Sequence, residues 1–118
     1  MREILFRGKR KDNGIWITGA YHPADGRHFI FPLPIIPPMI KVVPETVGQF
    51  TGLRDKNGNR IFEWDIIRGE GIAGEEIIEP VLCAGYEWLP FDYVVPFSVE
   101  VIGNIHDNPE LLKEGEQR

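Results

Sequence analysis

Two acidic side chains, Glu63 and Asp65, are the first residues whose types and spacing suggest chemistry. Residues two apart on a strand point to one face, and Ile61 and Ile67 flank the pair there. Such a pair can bind a divalent cation or act as acid and base, as in a metal-dependent hydrolase. Alternatively, both carboxylates accept hydrogen bonds from backbone amides at a barrel edge. We expect this structural role, because no His, Asp or Asn at recognisable spacing completes a site.

The histidines and the single cysteine add no convincing reactive site. His22, His28 and His106 are scattered along the chain, and only Cys83 could supply sulfur to zinc. Cys83 lies in the apolar run 81–84, so we expect it to be a small buried hydrophobe and not a nucleophile. We therefore predict no catalytic residue, no cofactor and no metal site, and we do not expect an enzyme.

The composition is that of a soluble globular protein. The chain has 118 residues, of which 42% are hydrophobic and 26% charged, and this length suits one domain. We predict a single domain over residues 1–113 and a disordered tail over 114–118. No apolar run approaches the roughly 18 residues that span a bilayer, and the N-terminus lacks a signal-peptide pattern. We expect a cytoplasmic protein without membrane contact.

Charge argues against a protein that coats duplex DNA, because the formal net charge is -5. A local basic cluster nevertheless lies near the N-terminus: Arg7, Lys9, Arg10 and Lys11. It is either a solvated hairpin or a nucleic-acid contact. The large aromatics leave a similar choice between core or subunit interface and a stacking platform for single-stranded nucleic acid. These aromatics are Trp16, Trp64, Trp88, Phe91 and Tyr93.

The first forty residues predict a hairpin followed by irregular chain. Residues 2–21 form the hairpin, with Ile4, Leu5 and Phe6 as the apolar centre of its first strand and Asn13-Gly14 at its turn. We expect a loop at 22–27. The proline-rich segment 31–40 predicts an extended strap over the domain's own core or over a neighbouring subunit.

The remainder predicts short strands joined by turns. A tight turn at Asp55 to Gly58 is followed by a strand bearing Glu63 and Asp65, and then by a mobile glycine-rich loop at 68–76. We expect further strands at 77–82, 86–89 and 93–95, and a last strand at 97–105. In that strand one face carries Phe97, Val99, Val101 and Ile105.

A short helix should follow the last strand. Asn108 suits the N-cap, Pro109 the first helical position, and Glu110 the positive end of the helix dipole.

Three blocks of this sequence resemble the YopX family of bacteriophage and prophage proteins. They are residues 1–8, residues 47–58 continuing to 65–67, and residues 101–112, whereas 21–40 and 69–96 carry no family pattern. The resemblance implies a small, β-rich protein encoded in phage genomes, without an established biochemical activity. It marks these positions, whose role it does not give: Thr51, Gly52, Asp55, Gly58, Glu63, Trp64, Asp65, Gly103, Asn104, Asn108 and Pro109.

Two residues depart from the family pattern. Trp64 stands where the family usually has Gly, so this position either adopts an ordinary strand conformation or is strained. His106 stands where Tyr is common, and an exchange between ring side chains favours packing with a polar edge over metal ligation.

Together these patterns predict a mainly β fold: an antiparallel, barrel-like and partly SH3-like domain with a short C-terminal helix. For function we expect an uncharacterised phage accessory protein that acts by binding a phage or host protein and by forming a homo-oligomer. Self-association would cover the apolar proline-rich strap. The alternative is a nucleic-acid-binding module that uses the basic N-terminal hairpin and exposed aromatics.

Overall fold

The computed structural model describes residues 4–32 and 38–112. The described residues are mainly β, with 55% of them in strands or bridges, antiparallel sheets and a short C-terminal helix, so the predicted fold class is confirmed. Barrel closure stays a prediction. The residues group into two compact units, the N-terminal unit Met1–Phe50 and the C-terminal unit Thr51–Arg118. The expectation of a single domain over 1–113 also stays a prediction.

The N-terminal unit is an antiparallel sheet with the strand order β4-β3-β2-β1-β5. A 3₁₀ helix, Pro44–Thr46, follows β4, and residues 48–50 of β5 belong to this unit. The strands are β1 (Phe6–Lys9), β2 (Trp16–Ala24), β3 (Arg27–Pro32), β4 (Ile40–Lys41) and β5 (Gly48–Arg54).

The first hairpin is present in the register Gly8↔Ile17 and Lys9↔Trp16. Gly14 has a φ of 72°, and Asn13 Oδ1 accepts the Ile15 N–H at 2.9 Å, so the Asn-Gly pair shapes the turn by two different means. Ile4 lies before β1 and is 67% exposed. Its predicted place in the apolar centre of the strand was wrong.

The predicted loop at 22–27 was also wrong. β2 continues to Ala24, and β3 begins at Arg27, with His22 opposite Phe29. Asp25 and Gly26 form the turn, with φ of 53° and 72°, because two residues of positive φ match the twist of a hairpin. The proline at position 23 lies within the strand but is exposed, so it did not end the hairpin. Residues 33–37 of the predicted strap lie outside the described residues.

Close backbone approach holds the N-terminal unit together. Ile30 and Val42 are almost completely buried, and a Cβ on Gly8 would lie 3.3 Å from each. At Gly19 the approach is closer, because a Cβ would lie 1.7 Å from the Phe31 carbonyl oxygen. Only glycine therefore fits at position 19 between β2 and β3.

The C-terminal unit contains residues 51–54 of β5, the strand β6 beside β5, the three-stranded sheet β11-β7-β8, and the hairpin β9-β10. A 3₁₀ helix, Pro96–Ser98, precedes the last strand. The core of the C-terminal unit consists of Ile61, Ile67, Val81, Val94 and Val99. The strands are β6 (Arg60–Phe62), β7 (Asp65–Glu70), β8 (Glu76–Pro80), β9 (Leu82–Ala84), β10 (Glu87–Leu89) and β11 (Glu100–Asn104).

Several predicted elements of this unit need correction. Residues 68–70 belong to β7 and not to a mobile loop, since Gly69 and Glu70 pair with β8. The predicted strand 77–82 is interrupted at Val81, between β8 and β9. Residues 93–95 form only a single bridge, Gly71↔Val94. The glycine-containing turn at 71–74 therefore joins β7 to β8 as a hairpin, and β7 continues to Glu70.

The last strand is shorter than predicted. Phe97 lies in the 3₁₀ helix and is 81% exposed, so it does not share a buried face with Val99. The register shifts between Val101 and Gly103, which breaks the alternation within β11.

Helix follows at residues 110–112. The tail 114–118 lies outside the described residues. Among the helices that the structure describes, none has the length and apolarity to cross a membrane.

Candidate functional site

The turn from Asp55 to Gly58 is organised around a buried carboxylate. Asp55 Oδ1 accepts the N–H groups of Asn57 and Asn59, each at 2.9 Å. Asp55 Oδ2 accepts the N–H of Val101 at 3.0 Å, from a residue 46 positions away in sequence. Gly58 supplies a φ of 85°, and its N–H donates to the Asp55 carbonyl at 2.9 Å. This aspartate therefore both forms the turn and ties it to β11.

The pKa of Asp55 is lowered by this arrangement. Burial has the largest single effect and opposes ionisation, but the hydrogen bonds from Val101, Asn59 and Asn57 together outweigh it. The ionised carboxylate is thus the form that the fold stabilises.

Glu63 and Asp65 do not lie on one strand face, which corrects the geometry on which a metal or acid–base pair depended. β6 ends at Phe62 and β7 begins at Asp65, so Glu63 and Trp64 form a two-residue turn. Asp65 is 1% exposed, and its Oδ2 accepts the Phe62 N–H at 2.8 Å. This bond closes the turn, which is the backbone-amide role suggested as the structural alternative.

Trp64 has a φ of 77°, so the strained alternative applies. The backbone N–H of Trp64 donates to the Val81 carbonyl, and the backbone carbonyl of Trp64 accepts the Ile105 N–H, each at 2.9 Å. The indole lies edge-on to His106 at 6.4 Å between ring centroids. A glycine would adopt this backbone conformation freely, whereas a tryptophan there costs about 1 kcal/mol.

The remaining family positions also shape local backbone. Thr51 Oγ1 donates to the Ile61 carbonyl at 2.8 Å, and Gly52 has a φ of 88°. Asn104 Oδ1 accepts the N–H groups of residues 106 and 107, each at 3.0 Å. Gly103 lies against Asn108, where a Cβ would meet the amide oxygen at 2.6 Å.

Asn108 meets the N-cap prediction with its backbone only, because its carbonyl accepts the Leu111 N–H at 3.1 Å. Asn108 Oδ1 accepts the N–H of Asn104 at 3.2 Å, so this amide closes the loop that precedes it. Pro109 stands directly before the helical residues 110–112.

One cleft in the C-terminal unit stands apart from these turns. It has a volume of about 320 Å³ and is named here the acidic cleft. Its lining residues are Thr51, Leu53, Glu87, Trp88, Phe91 and Asp92. Leu53 is 43% exposed, whereas Trp88 and Phe91 are partly buried against the core of the unit. Glu87 and Asp92 are exposed. The arrangement is an aromatic floor with carboxylates beside it.

The YopX protein family model matches residues 9–113. The chain belongs to the YopX family. No curated protein matches the sequence. The family match includes the turns around Asp55 and Asp65 and the loop at Asn104, which accounts for the motif positions without giving them a reaction.

No motif recognised in residues 69–96 predicted the acidic cleft of this YopX-family protein, although the family match extends over these residues. A signal was present in the pairs Glu87-Trp88 and Phe91-Asp92, where an acid adjoins an aromatic. Cys83 was predicted to be buried but is exposed on β9 opposite Trp88. β9 pairs only with β10 among the described strands, which leaves its other edge open to solvent.

The histidines of this YopX-family protein pack against other rings. Nδ1 of His28 is hydrogen-bonded to the Tyr21 hydroxyl, His22 lies 6.3 Å from Phe31, and His106 contacts Trp64 as above. Among residues 4–32 and 38–112, no three His, Cys, Asp or Glu side chains group closely enough to hold a metal ion.

The basic hairpin turns its cations toward an aromatic ring. The guanidinium of Arg7 lies 4.7 Å from the Trp16 ring centroid and the ammonium of Lys9 lies 5.5 Å from it. Arg10 forms an ion pair with Asp12 at 2.8 Å, which raises the pKa of Arg10 and lowers that of Asp12. The hairpin thus combines internal pairing with solvated positive charge.

Charge divides sharply between the two units. The first fifty residues contain seven Lys and Arg against four Asp and Glu, a formal net charge of +3. Residues 51–118 contain six against fourteen, a formal net charge of -8. The acidic cleft therefore belongs to the strongly acidic part of the chain.

Proposed function

We propose that this YopX-family protein is a cytoplasmic phage or prophage accessory protein that acts by binding a protein partner and not by catalysis. The acidic cleft supports this function best, because it joins exposed apolar surface to negative charge. Concave sites with a few polar groups around an apolar floor are typical binding sites.

The floor of the acidic cleft is preorganised. Trp88 and Phe91 pack against the core of the C-terminal unit, and the Phe91 N–H donates to the Trp88 carbonyl at 3.2 Å. Aromatic anchors that are already ordered bind a partner with little loss of side-chain entropy. Leu53 adds an exposed aliphatic contact at the end of β5.

The carboxylates select the partner's chemistry. Glu87 and Asp92 attract a basic side chain, and Trp88 offers the ring on which a cation binds most favourably. The partner is a basic segment with apolar side chains. A second copy of this chain meets that description, because its first fifty residues carry a net charge of +3. The proposed assembly is accordingly a homo-oligomer.

Light scattering after size exclusion tests this proposal at low and high salt. The wild type should elute as a dimer or larger species at low salt, and Leu53→Asp should elute as a monomer. Ile72→Asp is the matched control, because Ile72 is 77% exposed in the turn between β7 and β8 and lies outside the cleft. It should behave as wild type.

Charge reversal separates the contribution of the carboxylates. Asp92→Lys should weaken self-association mainly at low salt, since exposed charges are screened as salt rises. The proposal fails if the wild type is a strict monomer under all these conditions and retains no phage or host protein that Leu53→Asp loses.

A second candidate function is nucleic-acid binding through the basic hairpin. Its support is the placement of Arg7 and Lys9 beside Trp16, which combines phosphate-attracting charge with a ring. Reversing the charge of Lys9, Arg10 and Lys11 together should abolish a salt-sensitive mobility shift. Absence of any shift by the wild type at low salt would remove this candidate.

A further inference from the structure

A second cavity, in the N-terminal unit, has the opposite charge. Its volume is about 160 Å³, and it is named here the cationic cavity. Its wall contains three cationic side chains, one imidazole and no carboxylate. The lining residues are Lys11, Gly26, Arg27, His28, Lys41, Val42 and Pro44.

Backbone hydrogen bonds fix the segments that carry these cations. The Lys11 N–H donates to the Lys41 carbonyl at 3.0 Å, which joins the first hairpin turn to β4. The Val42 N–H donates to the His28 carbonyl at 2.9 Å, which joins the chain after β4 to the start of β3. Arg27 follows the tight turn at Asp25 and Gly26. Three separate parts of the sequence thus each supply positive charge to one place.

Tyr21 fixes the orientation of the His28 ring. The two rings stack at 5.9 Å with 10° between their planes, and the Tyr21 hydroxyl bonds Nδ1. When that hydroxyl donates, the ring proton is on Nε2, which is then a hydrogen-bond donor for an oxyanion. Tyr21 therefore acts as a positioning residue for His28.

The carboxylates nearest in sequence to these cations do not line the cationic cavity. Asp12 is paired with Arg10, while Asp25 and Glu45 are exposed and absent from the cavity wall. Arg, Lys and imidazole N–H groups converging on one small space form a typical site for phosphate oxygens. The volume suits a single phosphate group better than a nucleic-acid backbone, which needs an extended basic groove.

A larger cavity adjoins it and provides room for an organic group. It has a volume of about 340 Å³ and shares Lys11 and Lys41 with the cationic cavity. Met39 and Ile40 give it an apolar wall, and Arg10 and Asp12 complete the lining. We propose that the N-terminal unit binds a phosphomonoester, with its phosphate in the cationic cavity and its organic group against Met39 and Ile40.

Titration of the full chain followed by amide NMR shifts tests the proposal with three probes: inorganic phosphate, a nucleoside monophosphate and the matching nucleoside. Both phosphates should shift the amides of Gly26, His28 and Val42. The nucleoside monophosphate should bind with a Kd of about 1 mM or tighter, and at least fivefold more tightly than phosphate. The nucleoside alone should leave those amides unshifted.

Variants separate the site from general charge. Arg27→Gln and Lys41→Gln should each weaken binding of the nucleoside monophosphate about tenfold, whereas Lys56→Gln, an exposed lysine of the C-terminal unit, should not change it. Tyr21→Phe keeps the stacked ring and removes the hydroxyl, so it should weaken binding severalfold while the amide spectrum stays that of a folded protein.

The proposal is overturned if neither phosphate shifts these amides, if Lys56→Gln weakens binding as much as Lys41→Gln does, or if the nucleoside binds as tightly as the nucleoside monophosphate. Binding of a single-stranded oligonucleotide without binding of either phosphate also overturns it and favours the nucleic-acid candidate. Self-association through the acidic cleft is separated by repeating the titration with Leu53→Asp, in which the same amide shifts are expected because Leu53 lines the acidic cleft and not the cationic cavity.

Discussion

The two units carry opposite charge and present opposite cavities. The N-terminal unit has a net charge of +3 and a cavity walled by Lys11, Arg27 and Lys41. The C-terminal unit has a net charge of -8 and a cleft bordered by Glu87 and Asp92. The formal net charge of the whole chain, -5, does not reveal this division. The net charge of the whole chain therefore describes neither unit.

The units also differ in what holds them together. In the N-terminal unit, Gly19 allows β2 and β3 to approach so closely that a side chain would not fit. In the C-terminal unit, Asp55 and Asp65 are buried and accept backbone N–H groups that the turns would otherwise leave unpaired. The acids of the C-terminal unit thus fall into two kinds, buried structural acceptors and exposed carboxylates that can meet a partner.

Gly19→Ala should produce the largest effect, because the added Cβ would lie 1.7 Å from the Phe31 carbonyl oxygen. A backbone atom cannot move aside as a flexible side chain can, so we expect the free energy of unfolding in urea to fall by about 4 kcal/mol. Gly8→Ala is the graded control, since its Cβ would meet the side chains of Ile30 and Val42 at 3.3 Å. Gly8→Ala should lower the free energy of unfolding by about 1 kcal/mol. Equal losses would contradict the proposed role of close backbone approach.

Asp65→Ala should be the most damaging of the substitutions at the buried acids. It leaves the Phe62 N–H without its acceptor inside the C-terminal unit, which should lower the free energy of unfolding by about 3 kcal/mol. Asp92→Ala, at an exposed carboxylate of the same unit, should change it by less than about 0.5 kcal/mol. Similar losses in both variants would show that the distinction between buried and exposed acids is mistaken.

Asp55→Asn should lower the free energy of unfolding by about 2 kcal/mol at neutral pH, because an amide group replaces one acceptor oxygen. The pKa of Asp55 is lowered in the folded state from an ordinary value of 3.8. Its contribution is therefore complete above the unfolded pKa and lost as pH falls through the folded one. The difference between wild type and Asp55→Asn should narrow below about pH 4 in urea titrations. A difference that stays constant from neutral to acidic pH would mean that the charge on Asp55 contributes nothing.

Local patterns were sufficient to predict the turns that sequence itself encodes. The Asp55–Gly58 turn and the Asn13-Gly14 turn were both predicted, because Asn, Asp and Gly have strong local preferences. The turn at Asp25 and Gly26 carries the same signal, but the proline at position 23 favoured a loop. Prolines at exposed strand positions do not end a hairpin, which is why that prediction failed.

Long-range contacts could not be read from the sequence in the same way. The hydrogen bond from Val101 to Asp55 joins residues 46 apart, and no spacing rule predicts it. The acidic cleft brings Leu53 near Trp88, from β5 and β10, and the cationic cavity joins three separate segments. Both candidate sites therefore depend on tertiary packing, whereas the family motif marked mainly the local turns.

The smallest expected effect concerns Trp64 in the C-terminal unit. This non-glycine residue has a positive φ and stands beside the buried Asp65. Trp64→Gly and Trp64→Ala both remove the indole and its contact with His106. They differ in backbone preference alone, because alanine keeps the cost of a φ of 77° and glycine does not. The glycine variant should therefore have the higher free energy of unfolding, by about 1 kcal/mol. If alanine proved equally stable, the hydrogen bonds to Val81 and Ile105 would not hold position 64 in this conformation, and the turn would relax once the indole is gone.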